Sequence, residues 1–195
     1  MLACEHAEGH LLGLHTGTAR GHVRHTGMTP TDLDRSLLDG KEDLRGITGR
    51  PTLLVRPPYW SFNSSTLYRY SRHQLHMMLS DVKAFDGVNW GIQFLRKWSF
   101  PSQLAKLRSR FLNGELPVVN QTIPVVVTFH DTNGFTAGHM AEYLGLLVDE
   151  AVRLGLPLHH KPFLNNSEEL LSAGLARAVS AVSLDCSTAT LVEAQ

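Results

Sequence analysis

Hydrophobic positions along this chain fall into blocks whose period changes from one block to the next. Over residues 30–47, Leu33, Leu37, Leu38 and Leu44 recur at helical spacing. Thr29 is placed to cap that helix, Pro30 suits its first position, and Gly49 ends it. Short unbroken apolar runs at residues 11–14, 52–55, 75–79 and 123–129 read as buried strands, and residues 158–163 as a last one. The run 123–129 is rich in β-branched residues and is expected to be covered on both faces. Further helices are expected over residues 2–8, 64–74 and 167–182, and over 90–110 with an interruption at 99–102 around Pro101. A helix over 135–154, with Met140, Tyr143, Leu144, Leu147, Val148 and Val152 on one face, is stopped by Gly155. Residues 17–29 form a Gly- and Thr-rich loop. Strands and helices alternating at this rate predict an α/β fold with parallel pairing through right-handed crossovers.

Three of these strands end in chemistry. Leu14 is followed by His15, Val55 by Arg56-Pro57-Pro58-Tyr59, and Phe129 by His130-Asp131. The carboxyl edge of a parallel sheet is where a loop takes over from each strand and where α/β folds place their sites. The endings at His15 and His130 are therefore expected to serve one metal or one substrate.

Charge and composition narrow the classes. Lys plus Arg (18) balance Asp plus Glu (18), which gives no broad basic field for nucleic acid or an anionic membrane. No run reaches the ~18 apolar residues of a membrane span. Cys4 and Cys186 are expected to be unpaired thiols, and residues 1–10 have neither the basic nor the apolar region of a secretory signal. Eleven histidines are the one compositional excess.

Together, residues 9–16 (Gly-His-Leu-Leu-Gly-Leu-His-Thr), 47–51 (Ile-Thr-Gly-Arg-Pro), 55–59 (Val-Arg-Pro-Pro-Tyr) and 129–132 (Phe-His-Asp-Thr) resemble the motifs of the polysaccharide deacetylases, in the family's order. The resemblance implies one domain over residues 1–195, folded as a distorted, incomplete (β/α) barrel with mainly parallel strands. It implies hydrolysis of an acetyl group on a chitin-, peptidoglycan- or xylan-type carbohydrate, assisted by a divalent metal such as zinc. His15 matches the first metal-binding histidine and His130 the general acid. Arg56 matches the arginine that positions the base. Tyr59 matches the residue whose backbone N–H stabilises the oxyanion. Asp86 with Trp90 matches an Asp and Trp that support the arginine and wall the acetyl pocket, and Trp60 is placed to line a groove.

The departures are specific. Ala19 stands where the family carries its second metal histidine, which leaves His22 as the candidate in the same loop. No Thr-Phe-Asp-Asp segment, the family's source of base and metal carboxylate, precedes residue 9. The chain is therefore expected to be incomplete at its amino end relative to the family, with impaired metal binding and catalysis. An open barrel edge would then favour a homodimer. The alternative is a catalytically silent domain of the same fold that binds a sugar or a partner. His15 reads equally well as a buried histidine hydrogen-bonded at its strand end. A different α/β hydrolase is disfavoured, because no Gly-x-Ser-x-Gly elbow is present.

Overall fold

Helices and short parallel strands alternate over the described residues, which in the computed structural model are 1–17, 21–84, 86, 93–130, 133–156, 163–164 and 166–179. The chain divides into two units, Met1–Leu79 with the segment from Asn165 onward, and Ser80–Leu164.

Unit 1 begins with α1 (Leu2–Ala7) and α2 (Pro30–Thr48). The Thr29 hydroxyl accepts the Asp32 N–H at 3.2 Å, and Gly49 ends the helix at φ 72°. β1 (Leu54–Val55) follows, then α3 (Ser64–Arg72) and β2 (His76–Met77). A capping box starts α3: Asn63 and Thr66 exchange side-chain-to-backbone hydrogen bonds, each 2.9 Å. β1 pairs parallel with β2, Leu54 opposite His76 and Val55 opposite Met77. On the other side of β1, Leu14 forms a parallel bridge to Val55. Leu14, Leu33, Leu37, Leu44, Val55, Leu67, Tyr70, Leu75 and Met77 form the core.

One close approach fixes where the first strand goes next. A methyl group on Gly17 would lie 1.9 Å from the Ser36 carbonyl oxygen and 2.7 Å from the Gly40 N, so the loop after His15 runs directly against α2. Gly40 costs the helix roughly 1 kcal/mol relative to alanine, but a side chain there would meet Leu14 at 2.5 Å and Gly17 at 3.0 Å. Asp34 on α2 accepts from Arg69 and from His73 Nε2 (2.9 Å), which ties α2 to α3.

Unit 2 contains β3 (Val82–Lys83), α4 (Gln93–Leu112), β4 (Val127–Thr128), α5 (Gly134–Gly138) and α6 (Met140–Arg153). β3 and β4 pair parallel, Val82 opposite Val127. The core gathers Val82, Phe100, Leu104, Leu107, Leu116 and Tyr143, and the rings of Phe100, Phe129 and Tyr143 meet at centroid distances of 5.1–5.8 Å.

Several expectations are corrected here. α4 runs through Pro101 without interruption. The proline removes one backbone donor, but buried Phe100, Leu104 and Leu107 anchor the helix on both sides of it. Pairing in 123–129 is limited to Val127–Thr128, and Val125 is 38% exposed, so this strand is half-covered rather than buried on both faces. The expected single helix over 135–154 divides at His139 (φ −117°, ψ 13°), whose ring stacks on Phe135 and bonds its carbonyl at 2.8 Å. On α6, Leu144 and Val152 face outward, while Tyr143 and Glu150 are buried. The last helix, α7 (Ser167–Arg177), stops short of 182, and Val179 pairs antiparallel with Met77 instead. The expected strand at 158–163 lies almost wholly outside the described residues.

Candidate functional site

The carboxyl edge of unit 1 is set by the backbone. The Leu14 N–H donates to the Leu54 carbonyl (2.8 Å) and the Arg56 N–H to the Leu14 carbonyl (2.9 Å), which brings His15 beside Arg56. Past Arg56, buried Pro57 and Pro58 fix the chain, and Tyr59 and Trp60 take φ 59° and 57°. Two successive non-glycine residues in this region store strain that the surroundings must hold in place, a condition that clusters at functional sites. The N–H groups of Trp60 and Ser61 donate to the carbonyls of Pro57 and Pro58 (both 3.1 Å), and among the described residues the Tyr59 N–H has no acceptor.

The side chains at this edge are cationic and aromatic. His15 Nδ1–H donates to the Arg56 carbonyl at 2.6 Å; a carbonyl only accepts, so the proton sits on Nδ1. Nε2 then accepts from the Arg56 guanidinium at 3.3 Å. Burial, opposed by the Arg56 carbonyl and reinforced by the Arg56 charge, pushes the His15 pKa down to about 4. The His22 ring meets that of His15 edge-on at 4.4 Å and that of Tyr59 at 5.7 Å. The Arg56 guanidinium lies over Trp60 (5.3 Å), and that of Arg24 lies over Tyr59 (5.1 Å).

A metal needs more than this edge supplies. A catalytic zinc takes three protein ligands and keeps a fourth position open. His15 and His22 are two imidazoles, and the His15 nitrogen that would ligate accepts from Arg56. No group of three or more His, Cys, Asp or Glu side chains among the described residues is arranged to hold an ion. Among the described residues, these side chains do not complete a metal site.

In unit 2, hydrogen bonds to one carboxylate do the positioning. Asp86, 5% exposed, accepts from the His130 N–H (2.8 Å), from His130 Nδ1–H (2.7 Å) and from the Thr136 hydroxyl (2.7 Å). Burial pushes the Asp86 carboxyl up, but the bonds from His130 and Thr136 together outweigh it and hold its pKa below the usual value. The Asn133 amide donates to the Asp86 carbonyl (2.7 Å), and its oxygen caps α5. With Nδ1–H on the carboxylate, Nε2 is the nitrogen that can exchange a proton with a ligand. Within unit 2 the Asp86 carboxylate is engaged by His130 and Thr136, whose bonds converge on both of its oxygens. Trp90 and Asp131 lie outside the described residues.

Sequence reasoning missed Asn133, Thr136 and Arg24. The Asn-x-x-Thr spacing after His130 is a capping signal that could have marked the first two. A cleft of about 200 Å³ in unit 1 opens among Leu12, Thr52, Leu54 and Leu171, at the amino ends of the strands. The strained turn and the clustered polar side chains lie at the other end, and chemistry is assigned there. Among the described residues, no helix is long and apolar enough to cross a membrane.

Residues 2–78 match the family model described as polysaccharide deacetylase. A chitin deacetylase from Colletotrichum lindemuthianum is 18% identical, with a TM-score of 0.56 over 84% of this chain and 71% of that one. A family 4 carbohydrate esterase from Streptomyces lividans is 17% identical, with a TM-score of 0.51 over 71% and 60%. A mutant of a family 4 pseudoenzyme from Bacillus anthracis, described as having restored enzymatic activity, is 13% identical, with a TM-score of 0.54 over 88% and 51%. No curated protein sequence matches the chain. The chain spans about three-fifths of the length of the first solved structures it resembles. Residues 2–78 thus carry the polysaccharide deacetylase pattern, within the α/β, barrel-like fold that family 4 carbohydrate esterases share.

Proposed function

We propose that this chain is a deacetylase-type hydrolase acting on an acetylated carbohydrate, and that residues 1–195 form one domain of that kind. The observation that carries the reading is the Asp86–His130 pair, a histidine held at Nδ1 and at its backbone N–H by one buried carboxylate. In this reading water adds to the acyl carbon and the C–N bond breaks. His130 Nε2 takes up the proton that this water releases and gives it to the departing amine, and acetate leaves. Within unit 1, the Tyr59 N–H would serve an oxyanion and Trp60 would wall an acyl group. Any metal such an activity uses would need a ligand beyond His15 and His22.

A second reading is favoured by one specific contact. The Arg56 guanidinium on His15 Nε2 leaves a glycan-binding surface without a completed metal site, as in a silent domain of the same fold. The deciding measurement is acetate release from acetylated chitooligosaccharides, with zinc or cobalt supplied, by this chain and by His130→Ala. Loss of His130 is expected to lower kcat by about 10²–10⁴. Equal rates would remove His130 from the acid role. Saturable sugar binding with no acetate released would select the silent reading.

A further inference from the structure

We propose that Arg24 is a specificity-determining residue, selecting a glycan that carries a negatively charged substituent, carboxylate or sulfate, close to the acetylated sugar. The proposal rests on the glycan reading above and names the class of glycan. Residues 15–17, 21–29 and 56–63, which build the carboxyl edge of unit 1, contain Arg24 and Arg56 but no Asp or Glu. In a chain with 18 residues of each charge, this is a segregation of positive charge onto one edge. Among the described residues, the acidic side chains of unit 1 sit on or beside α1, α2 and α7.

The placement of Arg24 gives that charge a direction. Its guanidinium lies 5.1 Å from the centroid of the Tyr59 ring, which is 55% exposed. Stacking uses the face of a guanidinium and leaves the N–H donors around its rim directed sideways. Those of Arg24 meet no carboxylate among the described residues. A neutral chitooligosaccharide offers such a fork only hydroxyls. A uronate or sulfated sugar offers two oxygens at matching spacing, and charge-assisted pairs of this kind are roughly twice as strong as neutral ones. The strained turn holds Tyr59, and Tyr59 carries Arg24, so the fork stands at a fixed place beside the acyl position.

The test compares binding of a hyaluronan tetrasaccharide, in which N-acetylglucosamine alternates with glucuronate, with binding of neutral chitotetraose. Both are titrated calorimetrically into the full chain, Arg24→Gln and Arg24→Lys. The hyaluronan tetrasaccharide is expected to bind about tenfold more tightly at low salt, with the advantage shrinking as salt is raised. Arg24→Gln should remove most of that ratio, and Arg24→Lys should keep part of it, since charge remains but the fork does not. A sulfated chondroitin tetrasaccharide that binds more tightly than hyaluronan, with the same loss in Arg24→Gln, assigns the subsite to sulfate. Equal affinities for charged and neutral glycans, an Arg24→Gln effect identical on both, or no binding of either at millimolar concentration overturns the proposal. Acetate release from chitotetraose is followed in parallel; its absence counts against the deacetylase reading, while the affinity ratio judges Arg24.

Discussion

In unit 1 the strand-end residues are aimed by the backbone: two buried prolines hold Tyr59 and Trp60 at positive φ, and His15 is locked by the carbonyl of Arg56. In unit 2 a single buried carboxylate does the aiming, gathering His130 and Thr136 from segments more than 40 residues away. The difference predicts different weaknesses. Strain held by prolines is spread over a turn and yields gradually. A carboxylate with three donors concentrates the cost on one side chain.

Asp86→Ala is the harshest break. It strands the donors of His130 and Thr136 in a buried setting, and losing one partner of such a pair costs about 3–5 kcal/mol. Urea unfolding of the variant should show that loss, and a loss under 1 kcal/mol would mean the carboxylate is not the organising group of unit 2.

Acid should separate the two units next. Burial lowers the pKa of His25 from 6.5 to about 4, where it shares a 2.6 Å hydrogen bond with Tyr70 and its Nε2 is buried without a partner among the described residues. The unfolded chain binds the proton more readily, so this contribution is present above pH 6.5 and is lost as pH falls toward 4. The shift of about 2.5 units, 6.5 less 4, corresponds to roughly 3 kcal/mol. His15 adds to the same window. Asp86 acts in the other: its folded pKa is depressed, so its contribution holds above the ordinary carboxylate value and disappears only as pH falls below it. Stability measured by urea from pH 7 to 3 should therefore fall in two stages, with the first reduced in His25→Gln. A single stage below pH 4 would contradict the burial of His25.

The gentlest break is Pro58→Ala. It relaxes the unfolded chain and costs about 0.4–1 kcal/mol, with chemical shifts of Tyr59 and Trp60 moving. A larger loss would show that the proline packs the core as well as the turn.

The sequence made α2 legible because its signals are local: Thr29, Pro30 and Gly49 act within a turn of the helix. The order of strands and the placement of polar residues at their carboxyl ends were legible for the same reason. What failed depended on distant partners. Apolar residues at 123–129 predicted a long buried strand, but pairing needs a neighbour, and β3 offers only Val82–Lys83. Pro101 predicted a break, and the packing of Phe100 and Leu104 carried the helix through it. That His130, 44 residues on, engages Asp86 could be learned only from three dimensions.

The contact of Gly17 with the Ser36 carbonyl and Gly40 acts as a fulcrum. Upstream of it, Leu14 and His15 are pinned to β1, and downstream the chain goes on to His22 and Arg24. Residues added or removed between 18 and 24 would change the reach of the second arm and leave the first where it is. A protein built this way can vary what its edge grips by altering loop length alone, while the strand that carries His15 keeps its register.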